Sequence, residues 1–291
     1  MLVVVGPTAA GKSVVALEVA ERIGARILSL DSMQVYRGMD IGTAKPSEDD
    51  RSRVPHSMID LVDPSIEYTV REFQREARSV IEASTQPIVL VGGSGLHMRA
   101  VLDPMEFLPT DPQLRRELEQ VEPAALVAEL LAADPDSGQQ VDLDNVRRLI
   151  RAVEVLRLTG RTPMTISRDP SRLAISRYES HYPCRIIGLD PGDELAARID
   201  ARLKEMMEQG LVEEVAGLVG RMGRTASKAV GYAQLAPVVE GDISLEQGLD
   251  DSRRATVALA RRQRSWFRRD PRVQWLDPLR DDAVAAVMES A

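Results

Sequence analysis

Apolar residues in this chain fall into two rhythms, short unbroken runs and stripes at helical spacing, and these alternate in a regular order. Leu2-Val3-Val4-Val5 is a β-branched run that predicts a buried strand. Ala16, Val19, Ala20 and Ile23 then recur on one helical face until Gly24 stops the helix. Residues 25–30 predict a second strand with Asp31 at its carboxyl end, and the polar stretch 47–64 predicts loop. Thr69 and Glu72 form a capping box that opens a helix to about Ala83, with Phe73, Ala77, Val80 and Ile81 turned inward. Residues 87–91 predict another strand, Gly92-Gly93-Ser94-Gly95 ends it, and Leu96 begins a helix. Strand, helix, strand, helix, strand is the order of an α/β fold with a parallel sheet flanked by helices, which binds ligands beyond the carboxyl ends of its strands.

From residue 103 to about 183 the runs give way to helices and loops. Asp111-Pro112 predicts a capped start, Pro123 opens a helix through Leu131, and Val146, Leu149, Ile150 and Val153 make a stripe ending at Gly160. Arg147 and Arg151 lie one turn apart on that helix. Residues 185–190 then resume the sheet. A helix after Pro191 turns Leu195, Ile199, Leu203 and Met206 inward, with Arg198 and Arg202 on another face. Ser244 and Gln247 predict a capping box for a long helix, and residues 273–276 a last strand. The expected organisation is a first core part at 1–104, a helical insertion domain at 105–183 and a second core part at 184–291.

Composition narrows the class. At 291 residues and 44% hydrophobic content the chain supports a sizeable core. It has no run of eighteen apolar residues and no signal-peptide layout before the first strand, so no membrane association and a cytoplasmic location are expected. The single Cys184 excludes an internal disulfide and a multi-cysteine zinc site. His56 and His97 lack ligand spacing and read as surface or packing residues. The net charge of −8 argues against a nucleic-acid partner, but its distribution argues otherwise. Residues 147–185 hold nine arginines (147, 148, 151, 157, 161, 168, 172, 177, 185), and residues 253–272 hold eight (253, 254, 261, 262, 264, 268, 269, 272). Either zone alone could be a solvated helix face; two in an otherwise acidic chain favour a phosphate-backbone footprint.

The chemistry starts at Gly6-Pro7-Thr8-Ala9-Ala10-Gly11-Lys12-Ser13, which fits G-x-x-x-x-G-K-[ST] between a strand and a helix. Such a P-loop cradles a di- or triphosphate with backbone N–H groups, adds the lysine charge, and sets the serine hydroxyl against a magnesium ion. Asp31 fits either a turn residue or a general base. The loop therefore delivers a γ-phosphoryl group, or it holds a diphosphate that leaves.

Five segments occur in order: Gly6–Ser13, the run Asp31-Ser-Met-Gln-Val-Tyr-Arg-Gly-Met-Asp-Ile-Gly-Thr-Ala-Lys-Pro46, Gly92-Gly-Ser-Gly-Leu96, Arg148-Leu-Ile-Arg-Ala-Val-Glu-Val155 and Val230-Gly-Tyr232. Together they resemble the bacterial tRNA dimethylallyltransferases, and the run from Asp31 is the part that P-loop kinases do not share. The resemblance implies attack by the exocyclic amine of the adenosine 3′-adjacent to the anticodon on dimethylallyl diphosphate, with Mg2+ as cofactor. It implies that Gly6, Pro7, Thr8, Ala9, Ala10, Gly11, Lys12, Ser13 and Arg202 hold the diphosphate, with Ser13 on the metal. Asp31 matches the general base, Ser94 the hydroxyl at the amine, and Lys12 offsets charge. Asp31, Ser32, Met33, Gln34, Arg147, Arg148, Leu149, Ile150, Arg151, Lys228, Gly231 and Tyr232 match tRNA-contacting positions, and the insertion would grip the anticodon stem of tRNA. A monomer is expected. The chain departs from the family at Ser94, usually threonine, at His97, often tyrosine, and at Ala233, often basic. Rival readings are a small-molecule or nucleoside kinase, a non-catalytic RNA-binding module, and a prenyltransferase of free adenine nucleotides.

Overall fold

The computed structural model describes residues 1–280 and 282–289. Its strands, in chain order, are β1 (Leu2–Val5), β2 (Arg26–Ser29), β3 (His56–Ser57), β4 (Ile88–Gly92), β5 (Arg185–Leu189) and β6 (Val273–Leu276). They form one sheet in the order 3-2-4-1-5-6, with every pairing parallel. β1 is central, so Val5 stands opposite Gly92 on one side and Gly188 on the other. Strands covered on both faces show unbroken apolar runs, and β1 and β4 are buried at every position. Val3 and Val5 face one core layer with Phe73, Met98, Tyr232 and Phe267, while Leu2 and Val4 face a second with Ala16, Val19 and Ala20.

Four helices follow in the first part: α1 (Lys12–Ile23), α2 (Glu48–Arg53), α3 (Val70–Ala83) and α4 (Gly95–Leu102). α1 ends on Gly24 in the left-handed region, and α3 opens on the Thr69–Glu72 capping box. Two expectations change here. Ile23 is 36% exposed, because it is the last residue before the Gly24 turn, and the buried face of α1 is Val15, Ala16, Leu17, Val19 and Ala20. The stretch 47–64 is not all loop. It holds α2, capped by Ser47 and Asp50, and the two-residue β3. α2 buries no side chain, so no apolar stripe marks it.

Residues Asp103–His181 form a compact unit of their own, where the sequence placed boundaries at 105 and 183. It contains α5 (Pro112–Leu118), α6 (Pro123–Ala133), α7 (Val146–Thr159), α8 (Pro163–Ser167) and α9 (Pro170–Ser176). Leu118, Leu126, Leu130, Leu149, Ile150 and Val153 make its core. Val146, expected in that stripe, opens α7 at 44% exposure. The buried Glu154 carboxylate accepts from Arg115, Arg151 and the Asp111 N–H. The sheet unit resumes with α10 (Leu195–Glu208), α11 (Leu211–Leu218), α12 (Tyr232–Val239), α13 (Leu245–Phe267) and α14 (Ala283–Glu289). Ser244 caps α13 by accepting the Gln247 N–H, the serine half of the expected box.

Candidate active site at the carboxyl ends of the strands

Gly6 leaves β1 at φ 144°, and a Cβ there would lie 2.2 Å from the Leu189 carbonyl oxygen of β5. Only glycine lets the loop begin against the neighbouring strand. Gly11, at φ 86°, opens α1 with no side-chain cap, so the first N–H groups of the helix are left for an anion. Three side chains from distant helices brace this loop. Arg198 Nε donates to the Ala9 carbonyl at 2.8 Å, and Arg202 Nη1 donates to Thr8 Oγ1 at 3.2 Å. Gln263 Oε1 accepts the Thr8 N–H at 2.8 Å. Lys12 Nζ donates to the Pro7 carbonyl at 2.6 Å. Burial of that ammonium, and then the Arg202 charge, bring its pKa down to about 7 against the opposing pull of Asp31. An incoming anion would reverse that shift.

Asp31 follows β2, serves as the turn residue foreseen for it and lines the cavity described below. One oxygen, Oδ1, accepts the Met33 N–H at 2.8 Å in an Asx turn. The carboxylate charge is also felt at Lys12, Arg202 and His97. The loop beyond it is a braced frame. Gln34 accepts from the Ser29 hydroxyl and donates to the Thr43 and Ala44 carbonyls. Lys45, with 1% of its side chain exposed, donates to the Tyr36 carbonyl, Asp40 and Asp60. Glu214 of α11 accepts the N–H groups of Asp40, Ile41 and Gly42 and the Tyr232 hydroxyl. Gly42 lies against the Tyr232 ring, where a Cβ would come within 2.4 Å.

Ser94 follows β4, and its Oγ lies 2.8 Å from His97 Nδ1. Thr8, Ala9, Lys12, Ser13, Asp31, Ser94 and Arg202 all line one cavity of about 500 Å³. The convergence expected of the P-loop, Asp31 and Ser94 is therefore present. The cavity also has an apolar side, with Ile199, Leu203, Met206, Leu259 and Trp266. Gly6, Pro7, Ala10 and Gly11, also expected to hold the diphosphate, belong to the same loop but are not among the lining residues. Among the described residues no group of three His, Cys, Asp or Glu could hold a metal. A magnesium ion held by one or two protein oxygens and by substrate phosphate fits this donor set, with the exposed Ser13 hydroxyl at the loop.

The sequence profile of the IPP transferase family matches residues 34–270. The chain belongs to that family. It is 45% identical over 288 residues to the tRNA dimethylallyltransferase of Streptomyces coelicolor, covering 95% of this chain and 89% of that protein. The crystal structure of the full-length tRNA isopentenylpyrophosphate transferase of Bacillus halodurans is 34% identical, with a TM-score of 0.70 over 99% of this chain and 93% of that one. A eukaryotic dimethylallyltransferase acting on tRNA shares the fold at a TM-score of 0.80 and 22% identity, over 99% of this chain and 77% of that one. The kinase alternative finds no support among these relatives.

Within this IPP transferase, the residues matched to tRNA contacts separate by burial. Ser32, Met33, Gln34, Lys228 and Gly231 line the cavity beside Asp31. Tyr232 does not, because it is fully buried and supports the 40–42 backbone through Glu214. Leu149 and Ile150 belong to the core of the helical unit and offer no side chain to a partner. Arg147 and Arg148 are exposed, but Arg151 donates to the Leu108 and Pro109 carbonyls and to Glu154. Gln263 sits inside an arginine-rich run and carries no pattern of its own in the sequence. Arg198 was visible only as the neighbour of Arg202 on α10. Lys45 and Glu214 emerge only through the loop that they hold.

Proposed function

We propose that this chain, as a cytoplasmic monomer, transfers the dimethylallyl group of dimethylallyl diphosphate to the exocyclic amine of the adenosine 3′-adjacent to the anticodon in tRNA. Diphosphate leaves. One observation carries the reading: a phosphate cradle, a carboxylate at Asp31 and an apolar wall share a single cavity. The diphosphate would lie on the N–H groups of Gly11 to Ser13 at the start of α1, with Lys12 and Arg202 offsetting its charge. Magnesium, when bound, would withdraw charge from the departing oxygens, with Ser13 among its ligands. The apolar wall would enclose the prenyl tail. Nitrogen forms a bond to the first prenyl carbon as the bond from that carbon to oxygen breaks, and the amine proton passes to Asp31.

A positioned base contributes roughly 10²–10⁴-fold. Orientation of the two substrates and stabilisation of the departing anion supply much of the remainder. A loop base can be splayed out at a cost of about a few kcal/mol, the setting in which proteins read RNA sequence. Arg147 and Arg148 of α7 are proposed as tRNA phosphate contacts.

The test incubates the protein with magnesium, dimethylallyl diphosphate and unmodified tRNA carrying that adenosine, then weighs the digested nucleosides. One added dimethylallyl group on that adenosine is expected. Unmodified tRNA with ATP consumed on a small acceptor would favour phosphoryl transfer.

A further inference from the structure

We infer that His97 is a positioning residue which turns the Ser94 hydroxyl so that its lone pairs, and not its proton, face the reacting amine. The inference rests on the prenyl-transfer reading above.

The amine of adenine presents two N–H donors, while its lone pair is drawn into the ring. A side chain that supports it must accept. A serine hydroxyl has one proton and two lone pairs, and the proton rotates to suit its surroundings. Left undirected, it can point at the nucleophilic nitrogen and compete with the prenyl carbon. A threonine methyl would hold the oxygen in one χ1 rotamer but leave the proton free to turn, and serine lacks even that restraint. A second partner has to fix Ser94.

His97 is placed for this. Its Nδ1 lies 2.8 Å from Ser94 Oγ, one turn along the start of α4. His97 is 8% exposed, and its imidazole stands edge to face against Phe73 of α3, with ring centroids 4.6 Å apart and planes at 84°. Packing on that side holds the ring where it can meet Ser94. Burial lowers its pKa to about 4, with Asp31 pulling the other way, so the ring is neutral near pH 7. A neutral imidazole protonated at Nε2 has a bare Nδ1 that accepts the Ser94 O–H. The opposite tautomer would donate to Ser94 and send the hydroxyl proton into the cavity, which is the wrong polarity for an amine.

The experiment compares wild type, His97→Phe, His97→Asn, Ser94→Ala and the double variant Ser94→Ala/His97→Phe, measuring kcat, the KM values and diphosphate affinity. His97→Phe should lower kcat about tenfold, the loss of roughly one oriented hydrogen bond, without changing diphosphate affinity. His97→Asn keeps an acceptor oxygen near the place of Nδ1 and should recover most of the rate. In the Ser94→Ala background, His97→Phe should cost nothing further, because the two side chains act through one contact. An equal loss in both backgrounds, or an unchanged kcat, overturns the inference. Imidazole 15N spectra of the ligand-free protein read the tautomer independently of activity. A pyridine-type Nδ1 is expected, and a protonated Nδ1 overturns the inference even if the enzyme is fully active. Wild-type protein that leaves tRNA unmodified overturns the proposed function, and any role at the amine falls with it.

Discussion

At the end of β2 one Asp31 oxygen holds the Met33 N–H while the carboxylate charge reaches Lys12 and Arg202. Two substitutions separate these jobs. Asp31→Asn keeps the carbonyl of the turn and removes the base; Asp31→Ala removes both. Both should lower turnover by roughly 10²–10⁴-fold while diphosphate binding persists. Near-normal turnover in Asp31→Asn would assign Asp31 to the turn alone. Lys12 gives a prediction in pH. Its pKa of about 7 in the empty site should rise when an anion arrives, so binding takes up a proton where the lysine is neutral and none where it is already charged. Relative to Lys12→Met, calorimetry in buffers of different ionisation heat should find uptake approaching about one proton above about pH 8 and close to none below about pH 6. Equal uptake in both proteins would mean that Lys12 is already charged in the empty site.

The run 31–46 is held in part by Gln34, which lines the cavity, and in part by side chains outside it, of which Lys45 is the central one. Its ammonium meets a carbonyl and two carboxylates while its side chain is 1% exposed. Removing one member of a fully buried ion pair costs about 3–5 kcal/mol. Asp40 and Asp60 keep some contact with water, so Lys45→Met should cost less, about 2–3 kcal/mol in thermal unfolding. A change within about 0.5 kcal/mol would remove Lys45 from the frame. This run also marks how far the sequence could be read. β1, β2, β4, β5 and β6 are legible as short, largely apolar segments, the P-loop announces itself by motif, Asp31 and Ser94 by their places at strand ends, and Arg202 only through the family resemblance. α2 and β3 do not, since one buries nothing and the other has two residues. Gln263 meets Thr8 across 255 positions of sequence, a pairing that only tertiary packing creates. Tyr232 shows the converse, because its motif marks the position without telling whether the ring faces out or supports Gly42 from within.

The acidic chain carries its arginines unevenly, and the structure refines which of them are available to a polyanion. The sequence pairs Arg147 with Arg151 on one helix face, but Arg151 is committed to two carbonyls and to Glu154. The pair to neutralise is Arg147 and Arg148. Their double replacement by alanine should weaken tRNA binding and reduce the slope of log affinity against log salt by about 1.5. An unchanged slope would take α7 out of the footprint. The sheet order has a consequence during synthesis. The central strand needs β4 on one side and β5 on the other, and the whole helical unit is translated between them. At roughly 5–20 residues per second, one edge of β1 stays open on the ribosome for on the order of ten seconds. Leu189 comes against Gly6 with β5 itself, and the bond from Gln263 to Thr8 arrives later still. A nascent chain can thus carry the complete phosphate-loop sequence without the cradle, and the unpaired edge in that interval is the place for a chaperone or a misfolded partner to intervene.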